Sequence, residues 1–173
     1  MDYYVIIGLV ALYFVWQFFI YPKIRLHKIV DTIKMSVGEE VKITFPFKDK
    51  SRITFEDQNV IFDVKYISVP AYSLLTINSK VTWKVSYGGN PNKPGRIYPN
   101  ERFLTELKPF LRAQSEEAVK IVILYGKVEK KVMYLNESEL EILAPTSKPH
   151  GIYVLTLAEM KENYRKILEF EKR

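Results

Sequence analysis

Residues 3–20 read YYVIIGLVALYFVWQFFI, an unbroken run of uncharged side chains close to the start of the chain. At about 1.5 Å per residue, a helix of this length reaches roughly 27 Å, which is close to the hydrocarbon thickness of a bilayer. The run carries aromatic side chains at both ends, as membrane-spanning helices do at their two interfaces. We therefore predict a single transmembrane anchor over residues 1–22, followed by a folded domain.

A cleavable secretory signal and a buried core helix are the two alternatives to an anchor. A signal begins with Lys or Arg and ends at small residues, whereas the charged residue before this run is Asp2 and its far end is bulky. A core helix does not need aromatic belts at both ends. The membrane-interface residues predicted from these belts and from the basic residues behind them are Tyr3, Tyr4, Trp16, Tyr21, Lys23, Arg25 and Lys28.

The segment KIRLHK at 23–28 brings three fixed positive charges directly after the run. Because flanks rich in Lys and Arg stay in the cytoplasm, this one predicts an N-terminus outside the cell and a cytoplasmic domain. The alternative is that these residues contact lipid phosphates on whichever side they lie. Pro22 is expected to end or bend the helix, and residues 23–36 to form an amphipathic neck with Ile29, Ile33 and Met35 near one face.

The chain has 173 residues, no cysteine and a formal net charge of +6. The lack of cysteine excludes disulfides, thiolate metal sites and cysteine nucleophiles. Outside the neck, positive side chains are interleaved with acidic ones, so we expect no nucleic-acid partner. The abundance of Lys, Glu, Ile and Val leans towards a thermophilic source.

Between residues 37 and 156 the pattern changes to short segments in which apolar side chains alternate at a period of two, as in half-buried strands. The spacing predicts a mainly β, sandwich-like domain, with a mixed α+β sheet as the alternative. GIYVL at 151–155 resembles the closing strand of immunoglobulin-like sandwiches, which favours an immunoglobulin-like or jelly-roll-like arrangement. The predicted strands are 41–45, 52–55, 60–66, 74–77, 81–87, 118–125, 128–135, 139–143 and 151–155.

Two helices are predicted inside and after this domain. A short amphipathic one covers 100–108 and should break or kink at Pro109. A C-terminal one covers 157–173 and begins at a capping box, with Thr156 followed three residues later by Glu159. Its apolar face either docks on the chain's own sheet or contacts a partner helix or neighbouring subunit. The partner-contact candidates on that face are Met160, Tyr164, Ile167 and Leu168.

No pattern of catalytic or cofactor-binding residues is found. His27 and His150 are the two histidines, one in the neck and one in a Pro-containing loop, and neither has clustered Asp or Glu around it in sequence. The glycines of 88–95 fit neither common phosphate-binding spacing. We therefore expect no enzyme activity, metal, cofactor or small-molecule substrate. Asn136 begins a glycosylation sequon, which matters only if the domain lies outside the cell.

These features predict a non-catalytic, single-pass structural or interaction subunit of a larger membrane-associated assembly. Its partners would be the lipid bilayer and other protein subunits. One alternative is a minor coat protein that tethers the internal membrane of a lipid-containing virus to its capsid. Another is a cell-envelope adhesion or anchoring module whose sandwich lies outside the cell.

Overall fold

The computed structural model describes residues 3–47, 49–88, 95–97, 100–113, 117–136 and 139–172, and gives side chains for all of these except 100–104. Helix accounts for 40% of the residues and strand for 36%, so the fold is mixed and sheet-rich rather than mainly β. Most of the predicted 88–95 loop and the end of the sequon that begins at Asn136 lie outside the described residues.

One helix runs without a break from Tyr3 to Val37. It consists of α1 (Tyr3–Val15), a π-helical turn (Trp16–Ile20) and α2 (Tyr21–Val37). The helix does not end at Pro22. The proline is preceded instead by a wider turn, in which the Tyr21 N–H donates to the Trp16 carbonyl five residues back rather than four. The predicted neck is therefore the second half of the same helix.

The described residues form ten strands in two five-stranded sheets. The first sheet has the order β1–β2–β3–β7–β10 and the second has the order β6–β5–β4–β8–β9. The bounds are β1 (Ile43–Thr44), β2 (Arg52–Asp57), β3 (Val60–Ser68), β4 (Ser73–Ser79), β5 (Thr82–Tyr87), β6 (Arg96–Ile97), β7 (Ala118–Tyr125), β8 (Val128–Tyr134), β9 (Leu140–Ile142) and β10 (Ile152–Thr156).

Both sheets contain parallel pairs at their centres. Strands β3, β7 and β10 run parallel in the first sheet, and β4 and β8 run parallel in the second, while the remaining pairs are antiparallel. Immunoglobulin-like and jelly-roll sheets are built from antiparallel strands. Neither arrangement is confirmed, and the mixed α+β alternative agrees better with the pairing.

Two hydrophobic clusters lie on opposite faces of the first sheet. The first cluster joins that sheet to α2 and α4 (Leu157–Glu171), with Phe55, Phe62 and Tyr164 as its aromatic centre at ring separations of 5.1 to 6.2 Å. The second cluster joins the two sheets to each other and to α3 (Asn100–Arg112), around the buried Trp83. The order of layers is therefore α2 with α4, then the first sheet, then the second sheet, while α3 contributes to the cluster that joins the two sheets.

The helix α3 continues through Pro109 to Arg112, which corrects the prediction that the proline breaks it. Two side chains after the proline explain this, because Phe110 and Leu111 are 4% and 0% exposed in the second cluster. A proline inside a helix costs about 3 kcal/mol. Burial of a Phe and a Leu contributes about 1.5–3 kcal/mol each, enough to offset that cost.

Candidate functional site

The neck is part of the domain core. Ile29 and Ile33 of α2 are 0% exposed and lie in the first cluster. Met35, which was predicted near the same face, is 71% exposed instead, because it lies on the opposite side of the helix. Buried side chains thus hold the end of the long helix against the domain.

The apolar face of α4 packs against this neck and the first sheet. Its four predicted partner-contact residues are 0 to 6% exposed in the first cluster, which leaves them no surface to offer another molecule. The structure therefore supports the alternative in which the helix docks on its own chain, and corrects the partner-contact assignment of Met160, Tyr164, Ile167 and Leu168. The capping box is confirmed, since Thr156 and Glu159 exchange side-chain to backbone hydrogen bonds.

Arg25, one of the predicted membrane-interface residues, also contacts the domain. Its guanidinium donates a hydrogen bond to the Ser68 hydroxyl at the end of β3. Its Cζ also lies 5.8 Å from the ring centroids of Tyr21 and Tyr66 and 6.0 Å from that of Tyr125. A cation among aromatic faces is stabilised by the ring quadrupoles. Arg25 therefore fastens the start of the neck to two strands of the first sheet.

The other predicted interface residues lie on the outside of the long helix. Tyr3, Tyr4 and Trp16 are 74%, 84% and 49% exposed, and no residue of α1 is buried. Lys23 and Lys28 are exposed as well. Within the described ranges, one helix, near the N-terminus, is long and apolar enough to cross a membrane.

The parallel strands fix which end of the domain faces this apolar segment. Ser68 at the end of β3 is level with Tyr125 at the end of β7, and Thr156 at the end of β10 is level with Leu124. Arg25 contacts this edge, so the edge lies nearest the start of α2. We call this end of the domain the apical face, and define it as residues 45–47, 49–51, 69–72, 125–127 and 156–158.

An open pocket of about 550 Å³ lies between the apical face and the neck. Lys28 and Lys127 bring two positive charges to its lining, together with Tyr125 and the first residues of α4. Leu124, Val128 and Leu157 add aliphatic side chains. The lining thus combines aliphatic and basic side chains.

The corner beside this pocket requires a glycine. Gly126 has φ of +154°, and a Cβ at this position would lie 2.4 Å from the carbonyl oxygen of Val69. The Val69 N–H in turn donates to the Tyr125 carbonyl at 3.0 Å. This close approach lets the β3–β4 and β7–β8 segments turn together from the first sheet into the second.

Four charged side chains are buried in the described part of the domain: Asp63, Lys65, Lys120 and Lys131. Arg52 donates two hydrogen bonds of 2.7 Å to the carboxylate of Asp63, which is 2% exposed. Lys131 donates to both carboxylate oxygens of Glu159, at 2.8 and 2.7 Å, and to the Val154 carbonyl. The other buried amines are Lys65, which is paired with Asp49, and Lys120, which donates to the carbonyls of Phe110 and Ala113 at the end of α3.

The pKa values of these groups follow from burial and pairing. Burial lowers the pKa of both Lys120 and Lys131, although nearby carboxylates act in the opposite direction. Burial raises the pKa of Asp49, but hydrogen bonds from Lys65 and Ser51 outweigh it and leave the pKa below its usual value. Each amine already has hydrogen-bond acceptors, and these contacts are those of structural pairs.

Neither histidine belongs to a cluster of possible metal ligands. His27 contacts Asp31 one turn away at 3.3 Å, on the exposed side of the neck. His150 lies in the 3₁₀ turn before β10 and is exposed. Among the described residues, no group of three or more His, Asp or Glu side chains is arranged to hold a metal ion.

A second exposed surface lies at the opposite end of β8 from the apical face. Strand β8 begins directly after Lys127 and ends at Tyr134, where it turns into the edge strand β9. We call the exposed apolar group at this turn the distal patch. Its members are Tyr134, Leu135, Leu140 and Ile142, which are 40%, 57%, 54% and 65% exposed.

Comparison with known proteins finds no matching family model, and no curated protein or solved structure matches the chain. The function of this chain is therefore inferred from its own geometry.

The sequence reasoning missed both the exposed aromatic residues of the apical face and the distal patch. For the apical face, the available signal was FPF at 45–47, where two aromatic residues flank a proline directly after β1. For the distal patch, the signal was LEI at 140–142, which alternates like a half-buried strand. All three of its residues are exposed because β9 lies at the edge of its sheet.

Proposed function

We propose that the chain is a non-catalytic, single-pass membrane protein that holds a folded domain rigidly against the membrane surface as a subunit of a larger assembly. The observation that carries this proposal is the unbroken helix from Tyr3 to Val37. Its first part exposes an apolar surface on all sides, while Ile29 and Ile33 in its second part are fully buried in the domain.

A rigid junction is what distinguishes this arrangement from a domain on a flexible tether. A flexible linker would let the domain sample many orientations, whereas a helix with a buried face holds one. Arg25 strengthens the same junction through Ser68 and the surrounding tyrosine rings. In this proposal the two sheets act as one sandwich-like body, since they share the cluster around Trp83. The function is to fix that body at a defined angle to the bilayer.

The distal patch is the surface that we propose for contact with other subunits. It replaces the face of α4, which is occupied by the chain itself. Exposed apolar side chains on an edge strand favour a protein partner, because a partner covers the side chains and pairs with the free strand edge. The patch lies away from the apical face, so a partner can bind there while the anchor remains in the membrane.

The basic neck favours a cytoplasmic domain with the N-terminus outside. Lys23 and Lys28 carry this argument now that Arg25 is engaged with the domain. Protease treatment of intact cells tests it, because a cytoplasmic domain is protected until the membrane is opened.

Membrane fractionation and site-specific cross-linking test the proposed function. The full chain should stay in the membrane fraction after carbonate washing. A photo-reactive side chain at Ile142 should then give a cross-linked species of higher mass in cells, while one at Lys84, which is exposed at the middle of β5, should not. Release of the chain by carbonate would contradict the membrane assignment. The absence of any species specific to position 142 would contradict the partner surface.

A further inference from the structure

The loop between β1 and β2 carries the most exposed of the large apolar side chains in the described part of the chain. Phe47 is 99% exposed and Phe45, two residues earlier, is 45% exposed. Removal of a Phe side chain from water is favourable, and the isolated domain does not achieve it for Phe47. Exposed apolar side chains that lie together mark surfaces for contact with a protein or a membrane.

This loop is level with the start of the neck. The Tyr66 hydroxyl donates to the carbonyl of Lys50 at 3.2 Å, and the Tyr66 N–H donates to the carbonyl of Ser51 at 2.9 Å. The ring of the same tyrosine lies 5.8 Å from the guanidinium carbon of Arg25. The loop and Arg25 therefore lie at the same height along the long helix.

A second aromatic residue is presented by the neighbouring corner of the apical face. Tyr72 is 54% exposed and has a φ of +59°, a left-handed conformation that is unfavourable for a non-glycine residue. Lys127 holds its ammonium 4.6 Å from the centroid of this ring. The corner thus pairs an exposed aromatic ring with a positive charge.

The charge of the apical face is positive. Lys50 and Lys127 are exposed on it, and Lys23 and Lys28 lie on the adjacent surface of the neck. Asp49 is the carboxylate among the described residues of this face, and it is bound by Lys65 at 2.6 Å. The apical face therefore exposes aromatic rings and lysines, while its carboxylate, Asp49, is already paired. Such a surface is complementary to anionic headgroups.

The height of the face matches the headgroup layer. Arg25 follows Tyr21 by four residues, which is about 6 Å along a helix. Each headgroup layer extends about 5–8 Å beyond a hydrocarbon core of about 30 Å. With the apolar run in the hydrocarbon and Tyr21 at its boundary, the apical face lies within the headgroups.

We propose that the apical face is a second membrane contact, in which Phe45, Phe47 and Tyr72 enter the headgroup layer of the same bilayer and the lysines pair with lipid phosphates. This inference rests on the proposed membrane function. The contact explains why a domain with a buried core leaves Phe47 outside it. It also fixes the rotation of the domain about the long helix, which the anchor alone does not.

The lack of native cysteine makes depth measurements on single positions direct. The full chain is reconstituted into phosphatidylcholine vesicles with and without phosphatidylglycerol, and a fluorophore is attached to Phe47→Cys or Lys50→Cys. Lipids that carry nitroxides at known depths then quench the label. Lys80→Cys, in the exposed turn between β4 and β5, is the matched control on the domain, and Phe14→Cys is the control within the apolar helix.

Labels at 47 and 50 should be quenched by headgroup-level nitroxides roughly twofold or more above the label at 80, because interfacial apolar side chains are buried about 5–10 Å into the boundary between headgroups and acyl chains, next to these quenchers. The difference should grow when phosphatidylglycerol is present. Strong quenching at 14 with equal values at 47, 50 and 80 would overturn the second contact and leave the anchor intact; that result would assign Phe47 to a protein partner. Loss of quenching at 14 would overturn the proposed function itself.

Discussion

The two halves of the helix from Tyr3 to Val37 have the same backbone and opposite surroundings. In the first half no residue is buried, and the side chains are apolar around the whole circumference. In the second half charged side chains cover the outside, and Ile29 and Ile33 are 0% exposed inside the domain. The comparison teaches that one continuous helix can carry two kinds of surface: an apolar surface long enough to cross a membrane, and an amphipathic one whose apolar side packs in a protein core.

The difference between the two halves is tested most directly by making the same substitution in both. We expect Ile33→Ala to lower the free energy of unfolding by about 2–5 kcal/mol, because it leaves a cavity in the first cluster. Ile7→Ala, at a position that is 45% exposed, should leave the unfolding of the domain unchanged. Urea titration of the detergent-solubilised chain, followed by near-ultraviolet circular dichroism, measures both. Equal losses would show that the two halves do not differ as described.

A charge in place of an apolar residue tests the other half. Val10→Lys should weaken membrane insertion, because a lysine at the centre of a spanning helix costs about 2.5–3.5 kcal/mol. Met35→Lys is the matched control, since Met35 is 71% exposed beyond the junction. Carbonate extraction of membranes reports the fraction retained. A Val10→Lys chain retained as fully as the control would count against the anchor.

Arg25 marks the boundary between the two halves. Arg25→Ala should lower the free energy of unfolding by about 1.5–3 kcal/mol, the range for hydrogen bonds made by charged groups. Lys23→Ala, two residues earlier and exposed, should change it by no more than about 0.5 kcal/mol. Urea titrations of the two variants give the difference. If both variants match the unsubstituted chain, Arg25 does not fasten the junction.

The smallest effect concerns a hydrogen bond behind the neck. The Tyr164 hydroxyl donates to Asp57 at 2.7 Å, and burial together with this bond raises the pKa of the phenol. Tyr164→Phe should therefore cost about 0.5–1.5 kcal/mol at neutral pH. Tyr134→Phe, at an exposed position, is the control and should cost nothing measurable.

The pH dependence of this cost has a definite sign. A phenol with a raised folded pKa keeps its proton in the folded state, so its contribution is present below the unfolded pKa of about 10 and is lost as the pH rises above it. The gap between the unsubstituted chain and Tyr164→Phe should accordingly shrink above pH 10 in urea titrations. Tyr153 and Tyr66 also have raised pKa values, and Lys120 and Lys131 lowered ones, but these are common to both proteins. A gap that widens with pH would contradict this assignment.

Much of the secondary structure could be predicted from the sequence, because local patterns specify it. The alternation of apolar residues located most of the strands, and the Thr156–Glu159 pair located the start of α4. The effects of Pro22 and Pro109 could not be predicted from local rules. In both places the helix continues, through a π-helical turn in the first case and through burial of Phe110 and Leu111 in the second.

The candidate surfaces were harder to predict than the elements. The helical spacing in α4 and the alternation in the LEI of β9 each indicate an apolar face, yet the first is buried and the second is exposed. Apolar periodicity says that a face exists, but not whether the same chain covers it. The apolar face of α4 is covered because Ile29 and Ile33 of the neck lie in the same cluster. The side chains of β9 stay exposed, and among the described residues this strand pairs with β8 alone.

The sequence by itself determined the long apolar helix, the alternating strands and the lack of cysteine chemistry, since each depends on composition and spacing over a few turns or residues. Tertiary structure alone decided that the sheets mix parallel with antiparallel pairs, that Arg25 turns towards the domain and that Phe47 stays outside the core. The parallel strand pairs and the Arg25 contact join residues more than thirty positions apart, such as Arg25 with Ser68 and Ile152 with Lys120. Local propensity carries no information about which distant segment will arrive to cover a given side chain.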